Sequence, residues 1–349
     1  MVLETLALRL LRRFVKHDTM LDLMQTWSSN QPVYPEANFE AITRQGYRKN
    51  ELLFACINRI ASTARMITLE IVDIRSEKVL DKHPLRALLR SPNPYMNESD
   101  FWASVHIYQK LAGVAYYEKE RSAAGQVVAL WPLRPDWLKP KPGKGGIIAY
   151  VYQPPGVNAV TVDVNDILAF RIFDPLGQFA HYPPAAVALR AWSADNAVGD
   201  WFKLFLDQGG VPPGLLKILS VSNDAEIDRI RRRWKQRYGG VTNWLTPVIL
   251  DVNADYQKIG ANASEIGTEI MDARAEARIC MIMEIPPIIV GAKVGLDRAT
   301  YANYETARLS WWEDSLIPAY ENHIDVIENQ LLIEWGDNVK ARWNYDNVP

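Results

Sequence analysis

The chain has 349 residues, 48% of them hydrophobic and 23% charged, with 39 Lys and Arg against 41 Asp and Glu for a formal net charge of -2. That length accommodates two or three domains or one elongated multi-part subunit, and the composition is ordinary for a folded protein. The near-neutral balance excludes a surface that is basic throughout, so any DNA contact must be local or loose. The two cysteines, Cys56 and Cys280, stand in no metal-ligand or redox spacing and read as free thiols of a reducing compartment.

In chain order, residues 3–14 carry Glu4, Arg9, Arg12 and Arg13 among their leucines, which excludes a secretory signal. They read as a frayed or partner-docked helix, or as one lying on a membrane surface. Residues 20–49 look loosely structured, because Pro32 and Pro35 break any periodicity. A helix over 50–64 carries Leu53, Ile57, Ile60 and Ala61 at helical spacing, and a strand over 67–74 comes after it. A short helix near 85–89 precedes another, capped by Asn97 or Ser99 and stopped at Gly113. Strands are predicted over 114–119, 127–133, 147–152, 160–162 and 167–173, separated by Gly125, Pro135, the 140–146 cluster and Pro154-Pro155-Gly156. These form a small, largely antiparallel sheet.

Pro183-Pro184 opens a long helix that ends at Gly209-Gly210, about 37 Å at the helical rise. Its wide apolar face (Val187, Ala191, Trp192, Ala194, Val198, Trp201, Phe202, Phe205) predicts burial on more than one side. A strand (214–220), helix (223–238) and strand (246–252) unit comes next. Asn223 and Glu226 stand at capping-box spacing, and Arg229, Arg231, Arg232, Arg233, Lys235 and Arg237 load its helix with positive charge. That charge fits either a solvated face or a surface for an acidic partner.

The rest is organised around residues 262–318. Asn262 and Glu265 mark a helix start, and Ile266, Ile270, Ala273, Ala277 and Cys280 form a small apolar stripe for close packing. Beside it Glu265, Glu269, Asp272 and Glu276 make an acidic stripe, with Arg274 and Arg278 roughly opposite. Pro286-Pro287 ends the helix. An apolar loop containing Ile288, Val290, Lys293 and Val294 comes next, and a Tyr- and Trp-rich helix from about 299 is interrupted by Pro318.

The order of these last elements, Ile-Pro-Pro, a Gly-containing loop, Tyr-x-Asn-Tyr-Glu and Leu-Ile-Pro, resembles the portal proteins of tailed bacteriophages. So do, in the same order, His83-Pro84-Leu85, Ser91-Pro92-Asn93-Pro94, Ala112-Gly113-Val114-Ala115-Tyr116, Leu130-Trp131-Pro132-Leu133 and the span 209–214. The resemblance covers roughly 50–333. It implies an α+β portal fold: an N-terminal arm (1–49), a mixed α/β wing (50–182), a first stem helix (183–210), a strand-helix-strand clip (211–261), a second stem helix (262–284), a tunnel loop (285–298), and a tunnel-side helix with a short helical crown (299–349). With the sequence ending at Pro349, little room is left for a developed crown.

The resemblance further implies a non-enzymatic, ring-forming subunit, usually of twelve copies, at one capsid vertex of the virion and in the host cytoplasm during assembly. It would be the conduit for DNA packaging and ejection. Its partners would be further copies of itself, the terminase large subunit, a head-tail adaptor, the major capsid or scaffold protein, and double-stranded DNA, with no membrane and no cofactor. ATP hydrolysis would belong to the terminase. On this reading the acidic stripe faces either solvent and the arginines of an adjacent copy, or the channel. The loop 288–296 packs into a core or lines the narrowest part of the tunnel, with Lys293 near phosphate.

No phosphate-cradling Gly-x4-Gly-Lys-Ser/Thr, no His-Glu-x-x-His and no Gly-x-Ser-x-Gly occurs, and His17, His83, His106, His181 and His323 are isolated in sequence. No catalytic or metal residue is therefore assigned, and His83 and His106 read as packing or surface residues. Two rival readings remain: a monomeric nucleic-acid-binding adaptor working through the 229–237 helix, and a carboxylate-dependent hydrolase whose cluster assembles only in three dimensions.

Overall fold

The computed structural model describes residues 34–144, 146–176, 181–207, 214–218, 225, 228–229, 232–233, 254–258, 267–297, 300–336 and 338–348. The chain divides into units 1–36 and 37–349, and every helix and strand among the described residues belongs to the second.

A helical turn at Phe39–Ala41, capped by Asn38, runs into a π-helical turn at Ile42–Tyr47 that buries Ile42. The sequence suggests loose structure for 20–49. The outcome for 39–47 comes from the Asn cap and one apolar anchor, features too short to show as periodicity. Helix α1 (Glu51–Ser62) begins where Asn50 Oδ1 accepts the Leu53 amide at 2.9 Å, and it buries Leu53, Cys56, Ile57, Ile60 and Ala61 along one face. Strand β1 (Thr68–Asp73) leads to α2 (Pro84–Arg90), whose cap is the Nδ1 of His83, and to α3 (Glu98–Ala112), capped by Asn97. Gly113 ends α3 in the left-handed region at φ 75°, where an added Cβ would meet the Tyr182 amide nitrogen at 3.0 Å.

Strands β2 (Val114–Arg121), β3 (Val127–Leu133), β4 (Leu138–Gly143), β5 (Gly146–Tyr152), β6 (Val160–Asp163) and β7 (Ile167–Arg171) form two antiparallel sheets, ordered β3-β2-β7 and β4-β5-β6. The sequence predicts one sheet and treats 140–146 as a separator. Instead β4 accommodates Pro140 and Pro142 because it is an edge strand, where a missing N–H breaks no ladder. Alternation along β2 separates two cores. Ala115 and Tyr117 point into the main one, while Val114 and Tyr116 join Leu133, Leu138, Tyr150 and Ile167 between the sheets.

After α4 (Pro184–Val187) the helix breaks at Ala188 and resumes as α5 (Leu189–Asp207). Burial on more than one side, expected from composition, does not occur within one chain. Leu189, Ala191 and Trp192 are buried, but Val187, Phe202 and Leu204 are exposed. Strand β8 (Gly214–Ile218) pairs antiparallel with β9 (Ala254–Lys258). The expected strand 246–252 lies outside the described residues, as does most of the basic helix.

Helix α6 (Thr268–Met283) begins after Gly267, and the expected start at Asn262 lies outside the described residues. Its packed face is Ala275, Ile279, Cys280 and Met283, rotated from the predicted stripe, and Ile270 is 75% exposed. Short helices α7 (Pro287–Val290) and α8 (Lys293–Leu296) occupy the predicted loop. Helix α9 (Tyr301–Trp311) continues through a π-helical turn, Trp312–Leu316, into α10 (Ile317–Gln330). Pro318 does not stop it, because it falls in the first turn of α10, where an amide hydrogen is dispensable.

The segment read as a short crown ends in β10 (Val339–Asn344), which pairs antiparallel with β1 from Thr68↔Asn344 to Asp73↔Val339. The main core therefore draws on α1, α3, β2, β7, α6 and α10 together, around the fully buried Trp102, Trp192, Trp312, Tyr117, Tyr320 and Phe170. Each such side chain contributes roughly 2–3 kcal/mol of apolar burial.

Candidate functional site

The candidate site is the helix pair α5 and α6 with the α7–α8 turn beyond them. Asn50 anchors α5 to α1. It is 2% exposed, and while its Oδ1 caps α1 its Nδ2 donates to Asp195 Oδ2 at 2.6 Å and to Asn196 Oδ1 at 3.1 Å. A buried amide satisfied on both ends fixes the two helices in register. Between them and α6 lies a cleft of about 490 Å³, lined in part by Lys49, Glu51, Asp195, Asp200, Phe202 and Asp272. Burial first, then the negative charge of Asp272, Glu276 and Glu51, pushes the Asp195 carboxyl up, against the hydrogen bond from Asn50. Lys49 bonds Asp200 at 2.7 Å. The cleft is thus acidic, and three separate chain segments supply its carboxylates.

Of the predicted acidic stripe, Asp272 is exposed on this cleft. Glu276 is half-buried, and its Oε2 accepts the Val294 amide at 3.0 Å, so it tethers α8 to α6. Glu265 lies outside the described residues, and of Glu269 the backbone alone is described. Sequence reading missed Glu51, Asp195 and Asp200 as members of this group. No spacing rule joins residues 51, 195 and 272, and their meeting depends on how three helices pack.

Helix α6 closes on Glu284, a non-glycine residue at φ 60°. The Glu284 and Ile285 amides bond back to Met281 and Cys280, and Lys110 at the end of α3 holds the Glu284 carboxylate at 3.1 Å. Ile285, Ile289 and Ala292 are then buried, and Ile288 and Val290 pack half-buried against the main core. Lys293, Val294 and Leu296 are exposed. The segment that sequence reading left between core and channel therefore divides along its length: its first half packs, and its second half faces outward. Gly295 makes this possible, because a Cβ there would come within 2.3 Å of the Ile288 nitrogen.

Of the basic helix, Arg229, Arg232 and Arg233 are described, all exposed, while Arg231, Lys235 and Arg237 are outside the described residues. Two histidines isolated in sequence meet in the core: the rings of His106 and His323 lie 5.0 Å apart, both buried, and His323 stacks on Trp102. Burial depresses both, His323 to about 3, so they are neutral packing groups. Among the described residues no group of three or more His, Cys, Asp or Glu is placed to hold a metal ion, and no helix is long and apolar enough to cross a membrane.

Residues 51–348 match the family model for the phage portal protein. The chain is 23% identical over 330 residues to a protein of Rickettsia bellii (strain RML369-C), spanning 91% of this chain and 84% of that one. It is 24% identical over 250 residues to the portal protein of Enterobacteria phage HK97, spanning 68% and 57%. Among solved structures it resembles a chain in the neck of an empty gene transfer agent particle, with TM-score 0.69, 22% identity and coverage of 92% and 88%. It also resembles an HK97-family phage portal protein from Corynebacterium diphtheriae, with TM-score 0.62, 10% identity and coverage of 90% and 97%. The family model spans strands β2–β7, α5, α6 and the α7–α8 turn alike, and the fold agrees with it: the chain belongs to the phage portal protein family.

Proposed function

We propose that the chain is the portal subunit of a phage or phage-like particle, a structural protein that closes into a ring, twelve-fold in the particle, at one capsid vertex. The ring is the conduit for DNA, and it docks the terminase large subunit during packaging, then a head-tail adaptor, with the capsid or scaffold protein around it. Assembly takes place in the host cytoplasm. The observation that carries this is family membership over 51–348, a span that takes in α5, α6 and the α7–α8 turn.

Further support comes from surfaces that one chain leaves uncovered. Phe202 and Leu204 on α5 and Ile270, Met271 and Met281 on α6 are exposed. Apolar exposure along two packed helices fits burial against neighbouring copies, and a head-to-tail contact repeated by rotation closes a ring. The acidic α5–α6 cleft suits a conduit, since weak repulsion of phosphates lets DNA slide. In the ring, Val294 and the cation Lys293 would stand nearest the DNA, and Arg229, Arg232 and Arg233 would meet an acidic partner at the clip.

The test is the mass of the purified protein by light scattering and native mass spectrometry, with negative-stain images of the same fraction. Rings of about twelve copies with a central hole are expected. A monomer at high concentration that binds DNA tightly and salt-sensitively, and loses that binding on Arg232→Gln and Arg233→Gln, would overturn the reading in favour of a DNA-binding adaptor.

A further inference from the structure

Cys56 and Cys280 are separated by 224 residues, yet they meet in the main core with their Sγ atoms 4.0 Å apart, both free and both fully buried. Cys56 lies on α1 of the wing body and Cys280 on α6, the helix that carries the candidate channel face. Nothing in the portal reading uses a thiol at either position.

A cleft of about 280 Å³ reaches Cys280 from the side of α6, between Ala277, Met281, Glu284, Pro286 and Trp311. The two residues are therefore unequal: Cys280, though itself fully buried, lines this space, and Cys56 does not. The sulfurs must close from 4.0 Å to the about 2.05 Å of a disulfide, a shift of about 2 Å.

We propose that Cys56 and Cys280 form a thiol–disulfide site, in which Cys280 is the attacking sulfur, Cys56 the resolving one, and the product a covalent staple between α1 and α6. The co-reactant is a low-molecular-weight disulfide, RSSR. The Cys280 thiolate attacks one sulfur of RSSR, breaking its S–S bond, forming Cys280–S–S–R and expelling RS⁻, which takes up a proton. The Cys56 thiol then loses its proton and attacks Cys280 Sγ, which forms the Cys56–Cys280 bond and expels the second RS⁻. Two protein thiols are oxidised and one disulfide is reduced to two RSH. The assignment of roles agrees with the charge balance of the pair. The Cys56 S–H bonded to Cys280 holds Cys280 below the usual thiol range, and the same contact together with burial pushes Cys56 up.

The test uses the full chain and bis(2-hydroxyethyl) disulfide, followed by acid quench, denaturation, alkylation with iodoacetamide and mass spectrometry. The wild-type protein is expected to lose both alkylation sites and about two hydrogens of mass, to yield a peptide linking residues 56 and 280, and to gain a higher melting midpoint that reverts with reductant. This measurement needs no variant. In Cys56→Ser the reagent should stay on Cys280 as a stable mixed disulfide, whereas in folded Cys280→Ser the thiol of Cys56 should remain alkylatable only after denaturation.

Three results would overturn the proposal. These are adducts on both cysteines of the wild type with no linked peptide, crosslinks between chains instead of within one, or two intact thiols under conditions that oxidise the denatured chain. Because Met281 lines the same cleft and is also a candidate inter-copy contact, the reaction is run on the monomer fraction, so that its outcome is read separately from ring formation.

Discussion

At the scale of the residue, Gly295 and the His106–His323 pair show how much of this fold rests on single side chains, or their absence. A methyl group at 295 would strike the Ile288 nitrogen and the Pro287 carbonyl carbon at 2.3 and 2.6 Å, and backbone atoms cannot rotate away. Gly295→Ala should therefore force α8 off α7, with a loss of roughly 1–3 kcal/mol readable as a lower urea midpoint. Because Glu276 holds α8 through the Val294 amide, the same variant should also raise hydrogen exchange at that amide.

The histidines give a pH dependence. His323 titrates at about 3 when folded against 6.5 when unfolded, so between these values the unfolded chain binds the extra proton. Stability should be unaffected by this group above pH 6.5 and should fall by about 1.4 kcal/mol per pH unit below it. His106, depressed by burial and by the charges of His323 and Lys110, adds to the slope in the same direction. Denaturant midpoints from pH 7 to 5 check this, and the double variant His106→Phe, His323→Phe should flatten that profile.

At the scale of the element, legibility followed the origin of the signal. Helix α1 announced itself through apolar periodicity and α3 through a candidate cap at Asn97 or Ser99; the structure forms both, capped by Asn50 and Asn97. Strand β4 was hidden by its two prolines, which are tolerated because the strand is at an edge. The packed face of α6 was misplaced because its small residues, Ala273, Ala275 and Ala277, occur on several sides, and tertiary contact alone selects among them. The acidic cleft was half legible: Asp272 and Glu276 share a helix, but Asp195 and Glu51 join them through packing. The cysteine pair was not legible at all, since separation in sequence says nothing about separation in space.

The exposed apolar residues of α5 and α6 belong to this scale too. Ile270 is 75% and Met281 70% exposed on a helix whose opposite face is fully buried. If these residues meet a neighbouring copy, Ile270→Glu with Met281→Glu should leave the helical circular dichroism and melting of the single chain within about 0.5 kcal/mol of wild type. The same variant should abolish rings in negative stain. Intact rings would place the interface elsewhere.

At the scale of the whole molecule, the main core is shared by α1, α3, α6, α10 and one face of the β3-β2-β7 sheet, while a second, smaller core lies between the two sheets. Lys119 of β2 is buried and bonded to Glu334 at 3.0 Å and to the Gln330 carbonyl at 2.5 Å, while Arg121 adds two bonds to the same carboxylate. Burial pushes Glu334 up, but the bonds from Arg121 and Lys119 hold it below the usual carboxylate range. A charged network of this kind contributes position more than stability, since removing a partner costs more than the pair supplies. It places the segment after α10 against the β3-β2-β7 sheet, so a displacement of α10 is passed to that sheet by direct contact.

The pairing of β1 with β10 bears on how such a chain comes to be folded. Arg342 holds Glu70 across 272 residues of sequence, and the strand at 68–73 has no partner on its β10 side until 339–344 arrive. At ribosomal rates of about 5–20 residues per second, the wait is on the order of tens of seconds. During that interval the nascent chain carries an open strand edge bearing Leu69 and Ile71, the kind of surface that recruits other chains. The edge closes only once 339–344 have been made, so the contact that completes the β1–β10 pair is also the one that removes an aggregation-prone edge.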